Sequence, residues 1–296
     1  MKHIVIARIQ PELQACAIFP TKVFGASMSV SQPLVIVGAP RSGTTFLCHT
    51  LNQHPDIELT NESRIFAFVK HLLDVQSDRP DLVDRGIQTR FETFMRRHSG
   101  LWIERFYREE LGITAPIWGD KHPPYADPTI LSGRDSAVPH EPQSGSCLRL
   151  IRDILPEVKF IHIHRHPVQV AHSLVRKGWI GTMSDGLEIW CQYVTEITTF
   201  LAELPDEKQL TLGHAELFTQ PECSARAITQ FLGLAGHEPI RHFLYEQRRR
   251  PTPFSEPVSD FSKPLALRFD HGAASLGVAA ELAKLLGYAR RRQMAT

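Results

Sequence analysis

The sequence predicts an α/β fold, a three-layer sandwich in which a parallel sheet is covered by helices on both faces, built as a single domain over residues 1–296. Three observations lead there. Short apolar runs rich in β-branched residues recur along the chain, as buried parallel strands require. Between them lie stretches whose apolar residues repeat at intervals of three and four, the spacing of amphipathic helices. Hydrophobic residues make up 42% of the chain against 22% charged, enough apolar material for a sizeable core and too little polarity for disorder.

The first strand is PLVIVG, residues 33 to 38, closed by Gly38 and followed after a short loop by a helix. Residues 148 to 155 carry a helical pattern that Pro156 interrupts, and KFIHIH at 159 to 164 alternates as a strand does. Pro167 suits the first turn of the next helix, where a missing N–H costs nothing. From Asp185 to Leu204, Leu187, Trp190, Val194, Ile197 and Leu201 mark a long amphipathic helix that ends before Pro205. A further strand is expected at 209–212 and a helix at 221–232. Residues 132–147 and 249–264, rich in Pro, Ser and Gly, read as loops. In a sheet of this kind ligands are expected at the carboxyl ends of the strands.

The formal net charge is +1, which gives no reason to expect a general nucleic-acid or membrane-surface binder, although a few arginines can still build a local anion site. The five cysteines are scattered and never spaced as CxxC, unlike a disulfide framework or a zinc site. The longest strongly apolar run, Leu34 to Ala39, is far below the roughly 20 residues needed to span a bilayer, and the N-terminus lacks a basic start followed by an apolar stretch. A reducing, cytoplasmic setting with no membrane span is therefore expected.

Residues 38 to 45 read GAPRSGTT, directly after the first strand and before a helix. Gly38 and Gly43 are five apart, as in a P-loop, and backbone N–H groups around Ser42, Gly43, Thr44 and Thr45 at a helix N-terminus can bind phosphate oxygens. Thr44 stands where a nucleotide triphosphatase would carry lysine, so the cation must come from elsewhere, and Arg41 is nearest. The octapeptide resembles the 5′-phosphosulfate loop of the PAPS-dependent sulfotransferases, a basic residue followed by Ser-Gly-Thr-Thr; PAPS is 3′-phosphoadenosine 5′-phosphosulfate.

A second match lies in FIHIHRHPVQVAHS, residues 160 to 173. In that family a strand ends in an arginine followed eight residues later by a helical serine, both holding the donor's 3′-phosphate; the resemblance assigns these roles to Arg165 and Ser173. His166 stands where an acidic residue is common. His162, His164 and His166 alternate, which on a strand would place three imidazoles on one face, as metal ligands or as structural or pocket-lining histidines. No acidic partner at metal-ligand spacing stands out, so no metal is expected.

HPDIELTNESRIFAF, 54 to 68, is similar to the segment after the loop in tyrosylprotein sulfotransferases and related bacterial enzymes, whose catalytic base is a glutamate there. The resemblance assigns that role to Glu62, with Arg64 orienting it or binding substrate; helix capping by Asn61 or Glu62 is the structural alternative. WGDKHPPYADP, 118 to 128, resembles the family's Lys-x-Pro turn, so that Lys121 is expected to neutralise the sulfuryl oxygens and His122 is the rival base. In 210 to 234 the similarity weakens, with His214 and Ala215 in place of the usual Tyr-Glu. The late 3′-phosphate loop is not recognisable, and Arg248, Arg249 and Arg250 are candidates to replace it. The resemblance spans about 33–234, leaving 235–296 as a C-terminal extension.

The leading expectation is transfer of a sulfuryl group from PAPS to a hydroxyl or amine of a small-molecule, lipid or natural-product acceptor, a peptide tyrosine being a further candidate. A P-loop kinase would need a lysine and a magnesium-binding acid that the sequence does not place. A nucleotide-binding module without catalysis is the other alternative. Acceptor contacts are expected from variable loops at 66–117 and 240–275.

Overall fold

The computed structural model describes residues 31–77, 85–128 and 146–249. Most of both expected loops, Cys16, Arg250 and the extension beyond residue 249 lie outside these. Five strands, β1 (Gln32–Val37), β2 (Ile57–Asn61), β3 (Ile117–Lys121), β4 (Lys159–His164) and β5 (Gln209–Gly213), pair in parallel in the spatial order β2-β3-β1-β4-β5. The chain leaves β1 toward β2 and β3 on one side, then crosses to β4 and β5 on the other. The carboxyl end of β1 is thus a topological switch point, where connecting loops diverge and leave a crevice.

Side-chain alternation along β1 divides the core in two. Leu34 and Ile36 join Leu47, Ile161 and Ile163 on one face, whereas Val35 and Val37 join Trp118 and Phe160 on the other. The helices among the described residues are α1 (Thr44–Leu51), α2 (Ile65–Ser77), α3 (Arg85–Arg105), α4 (Leu148–Ile154), α5 (Pro167–Arg176), α6 (Met183–Leu201), α7 (His214–Thr219), α8 (Pro221–Leu232) and α9 (Glu238–Arg249). Helices α1, α7, α8 and α9 cover the Leu34 face, and α2 to α6 the Val35 face, giving the expected three layers. On α6 every residue of the expected stripe, from Leu187 to Leu201, is buried; the helix begins two residues before Asp185, capped by Thr182 and Asp185 in a reciprocal box.

Three local expectations are corrected. Residues 66–117, expected as variable loops, are mainly the helices α2 and α3, which pack against one another and against α4. Lys121 is not in a turn: it closes β3, and the turn follows at Pro123–Ala126. Strand β4 ends at His164, so His166 caps α5 rather than continuing a row of three imidazoles.

β3 reads IWGDK, and all five residues are buried. Its glycine is dictated by closeness: a Cβ on Gly119, whose φ is 152°, would lie 1.9 Å from the Leu34 carbonyl oxygen of β1. Gly119→Ala is therefore expected to lower the urea unfolding free energy by about 2–4 kcal/mol through overpacking and backbone strain.

Candidate functional site

The loop between β1 and α1 turns on two left-handed residues, Arg41 (φ 70°) and Gly43 (φ 98°). At Gly43 the requirement is steric as well as conformational, because a Cβ would come within 2.3 Å of the His214 ring at the start of α7. Ser42 turns inward: its side chain is fully buried without a hydrogen-bond partner, and its N–H donates to the Ala39 carbonyl (3.0 Å). The expectation of ligand-facing amides from Ser42 onward thus narrows to Gly43, Thr44 and Thr45, where the first turn of α1 has no intrahelical acceptors for its N–H groups.

Beneath the loop lies Lys121, fully buried at the end of β3. Its Nζ donates to Thr45 Oγ1 (2.9 Å) and to Glu62 Oε1 (2.7 Å). A buried cation is tolerated only when paired and hydrogen-bonded, and these contacts supply both. Glu62 caps no helix: it sits in a left-handed turn (φ 67°) after β2, and its side chain, 45% exposed, meets Lys121.

Across the loop, Arg41 Nε donates to Ser173 Oγ (3.1 Å), and the Arg41 guanidinium lies 5.5 Å from the centre of the Trp179 ring. Arg165 follows β4, donates from Nε to Gln169 Oε1 (3.1 Å), and has its carbonyl held by Trp190 Nε1 (3.0 Å). The two anchor residues therefore have different neighbours: Ser173, nearly buried, engages the loop arginine.

A cavity of about 660 Å³ opens at the switch point. Arg41, Gly43, Thr44, Thr45, Glu62, His122 and Arg165, all singled out from sequence, line it; Ser42, Lys121 and Ser173 lie buried behind its wall. Among the described residues its wall carries three arginines, Arg41, Arg64 and Arg165, against one carboxylate, Glu62, a balance suited to a polyanion. Phe46 stacks on Phe218 at 4.9 Å between ring centres and lies 6.0 Å from Phe243, forming an aromatic wall.

A model of the sulfotransferase family matches residues 33–239. The chain belongs to the sulfotransferase family. Protein-tyrosine sulfotransferase 1 of Danio rerio is 23% identical over 220 residues, an alignment that covers 71% of this chain and 56% of that protein; the chain thus spans about half the length of this relative. Among solved structures, the sulfotransferase domain from the curacin biosynthetic pathway is similar at a TM-score of 0.55 and 17% identity, over 84% of this chain and 96% of that one. The sulfotransferase domain of the Synechococcus PCC 7002 olefin synthase is similar at 0.56 and 18%, over 86% and 95%. These two show the P-loop-type fold that the octapeptide implied.

The cavity also holds residues that the sequence does not single out as lining it. Trp179, Phe243 and Gln247 come from segments without a recognised motif, the last two on α9 beside Arg248, and Phe218 comes from the weakly similar stretch 210–234. His214 was noticed only as a departure from the family's pattern, yet it forms the wall that forces Gly43 to be glycine.

Electrostatics differentiate the two candidate bases. The hydrogen bond from Lys121 holds the Glu62 carboxyl below the usual carboxylate range, while burial pushes His122 below the ordinary imidazole value and leaves it neutral at pH 7, with Nδ1 unpartnered. Burial is far stronger on two other histidines: His162 and His214 are both lowered to about 3, and neither ring nitrogen of His162 has a hydrogen-bond partner.

Among the described residues no group of three or more His, Cys, Asp or Glu is arranged to hold a metal, and no helix is long and apolar enough to cross a membrane.

Because the folded pKa of His162 and of His214 lies below the unfolded value near 6.5, the unfolded chain binds more protons between about pH 3 and 6.5. Their contribution to stability is complete above 6.5 and is lost as the pH falls toward 3. His162→Leu is expected to flatten the dependence of unfolding free energy on pH between 4 and 6 by about 1.4 kcal/mol per pH unit, read from urea titrations.

Proposed function

We propose that this chain transfers the sulfuryl group of PAPS to the hydroxyl or amine of a small-molecule, lipid or natural-product acceptor, releasing the desulfated nucleotide PAP. The observation that carries the reading is the lysine-bridged pair of Thr45 and Glu62, which places a carboxylate beside an anion loop inside one arginine-rich cavity. Membership of the sulfotransferase family supports it. Neither the kinase reading nor the non-catalytic reading is favoured beside that membership.

The Gly43–Thr45 amides at the start of α1 take the 5′-phosphosulfate with Arg41 alongside, all four residues lining the cavity. Arg165 supplies a cation for the 3′-phosphate, and the Phe46 wall suits stacking of the adenine. Ser173 acts there by fixing Arg41, and Lys121 supports the loop from below while orienting Glu62. Glu62 takes the proton of the acceptor's hydroxyl or amine as that group's oxygen or nitrogen attacks sulfur in line with the bridge oxygen, which departs with PAP. The loop amides, Arg41 and Lys121 offset the charge that develops there. His122, on the same wall, is the rival base. A peptide tyrosine stays within the acceptor class, in keeping with the similarity to protein-tyrosine sulfotransferase 1 of Danio rerio.

Calorimetric titration with PAP, with ATP and ADP as controls, tests the donor. Selective PAP binding is expected, weakened at least tenfold in Arg165→Ala and Arg41→Ala; a preference for ATP with magnesium would overturn the assignment. With a phenolic acceptor, Glu62→Gln should retain PAP affinity and lose about 10²–10⁴-fold in turnover, whereas a larger loss in His122→Gln would transfer the base to that residue.

A further inference from the structure

Neighbouring residues of a strand point to opposite faces of a sheet. At the end of β3, Lys121 therefore reaches toward the anion loop, and Asp120, equally buried, reaches toward the connection from β2 to α2. That connection carries two non-glycine residues in the left-handed region, Glu62 (φ 67°) and Arg64 (φ 62°), on either side of Ser63. Such a turn persists only where its surroundings over-determine it.

The surroundings converge on one carboxylate. Asp120 Oδ1 accepts from the Ser63 N–H (3.2 Å) and from Thr60 Oγ1 (2.7 Å), and Oδ2 accepts from Ser63 Oγ (2.9 Å) and from the Tyr125 hydroxyl (2.6 Å). The Tyr107 hydroxyl lies 2.9 Å from Thr60 Oγ1 and 3.2 Å from Ser63 Oγ, closing the network from behind. Burial and then the charge of Asp120 push the Tyr125 hydroxyl's pKa well up, which keeps it a donor. On the strand side, the Glu62 N–H donates to the Lys121 carbonyl (2.8 Å), so β3 grips both ends of the turn.

We propose that Asp120 is a positioning residue for Glu62: its carboxylate holds the left-handed turn at 62–64 in the shape that keeps the Glu62 side chain on Lys121 and at the cavity wall. The part this plays in turnover rests on the sulfuryl-transfer reading; the geometric part does not. Asp120 touches neither the cavity nor the anion loop and acts through Ser63.

The test follows the titration of the Glu62 carboxyl by NMR on ¹³C-labelled full-length protein, in wild type, Asp120→Asn and Ser63→Ala, beside PAP calorimetry and turnover with a phenolic acceptor. The charged or titratable groups facing Glu62 are Lys121, His122 and Arg64. The sign of the shift is diagnostic. Loss of the Asp120 charge alone would make Glu62 titrate lower, whereas release of the turn from Lys121 makes it titrate higher, toward the ordinary glutamate range. We expect the upward shift in both variants, with turnover down at least tenfold, PAP affinity within threefold of wild type, and partial activity in Asp120→Asn relative to Asp120→Leu. Should Asp120→Leu fail to fold, Ser63→Ala, which removes a single hydroxyl, carries the comparison. An unmoved or lowered Glu62 titration with turnover near wild type in Ser63→Ala would overturn the proposal. If the upward shift occurs but wild type itself transfers no sulfuryl group, the positioning role stands and the transferase reading falls.

Discussion

The arrangement depends on one buried cation. Lys121 has no exposed surface, and its ammonium is compensated by Thr45 from the first turn of α1 and Glu62 from the turn after β2. These partners lie 76 and 59 residues away in sequence, so the ammonium is satisfied only when β3 is inserted between β1 and β2. A loop lacking the usual P-loop lysine thereby acquires a cation from the neighbouring strand. Removing either partner would leave a charge in a poorly solvated place, which ties the integrity of the loop to that of the carboxylate.

The same strand explains why so much strain is confined to so small a region. Arg41, Gly43, Glu62 and Arg64 all adopt left-handed backbone conformations around one cavity, and only one of them is glycine. The cost is borne by rigid neighbours: His214 packs against Gly43, Ser173 holds Arg41, and Asp120 holds Ser63. Such local strain is characteristic of sites where geometry has to be set before the ligand arrives. The molecule as a whole is nearly neutral, yet its cavity is not, because arginines from three separate segments converge where the strands end.

Much of this was legible in the local pattern of residues. PLVIVG and KFIHIH form strands buried on both faces, and the stripe from Leu187 to Leu201 forms the buried face of a helix, because the local pattern of each run already matches the element it forms. The octapeptide at 38–45 announces its own turn, since Gly43 and the helix that follows are contiguous with it. By contrast, Ile57–Asn61 and Ile117–Lys121 were not read as strands; IWGDK in particular combines glycine, a carboxylate and an ammonium, residues that strands ordinarily disfavour.

The sequence by itself determined the α/β layering, the glycine-bearing turn at 38–45 and the family, because each is written in residues adjacent along the chain. Only the tertiary structure decided that Lys121 is buried rather than solvated in a turn, that Ser173 answers to Arg41, that His214 walls the loop and that Asp120 anchors the turn bearing Glu62. Each of these joins segments far apart in sequence, and whether a charged side chain is solvated or paired depends on partners that local spacing does not name.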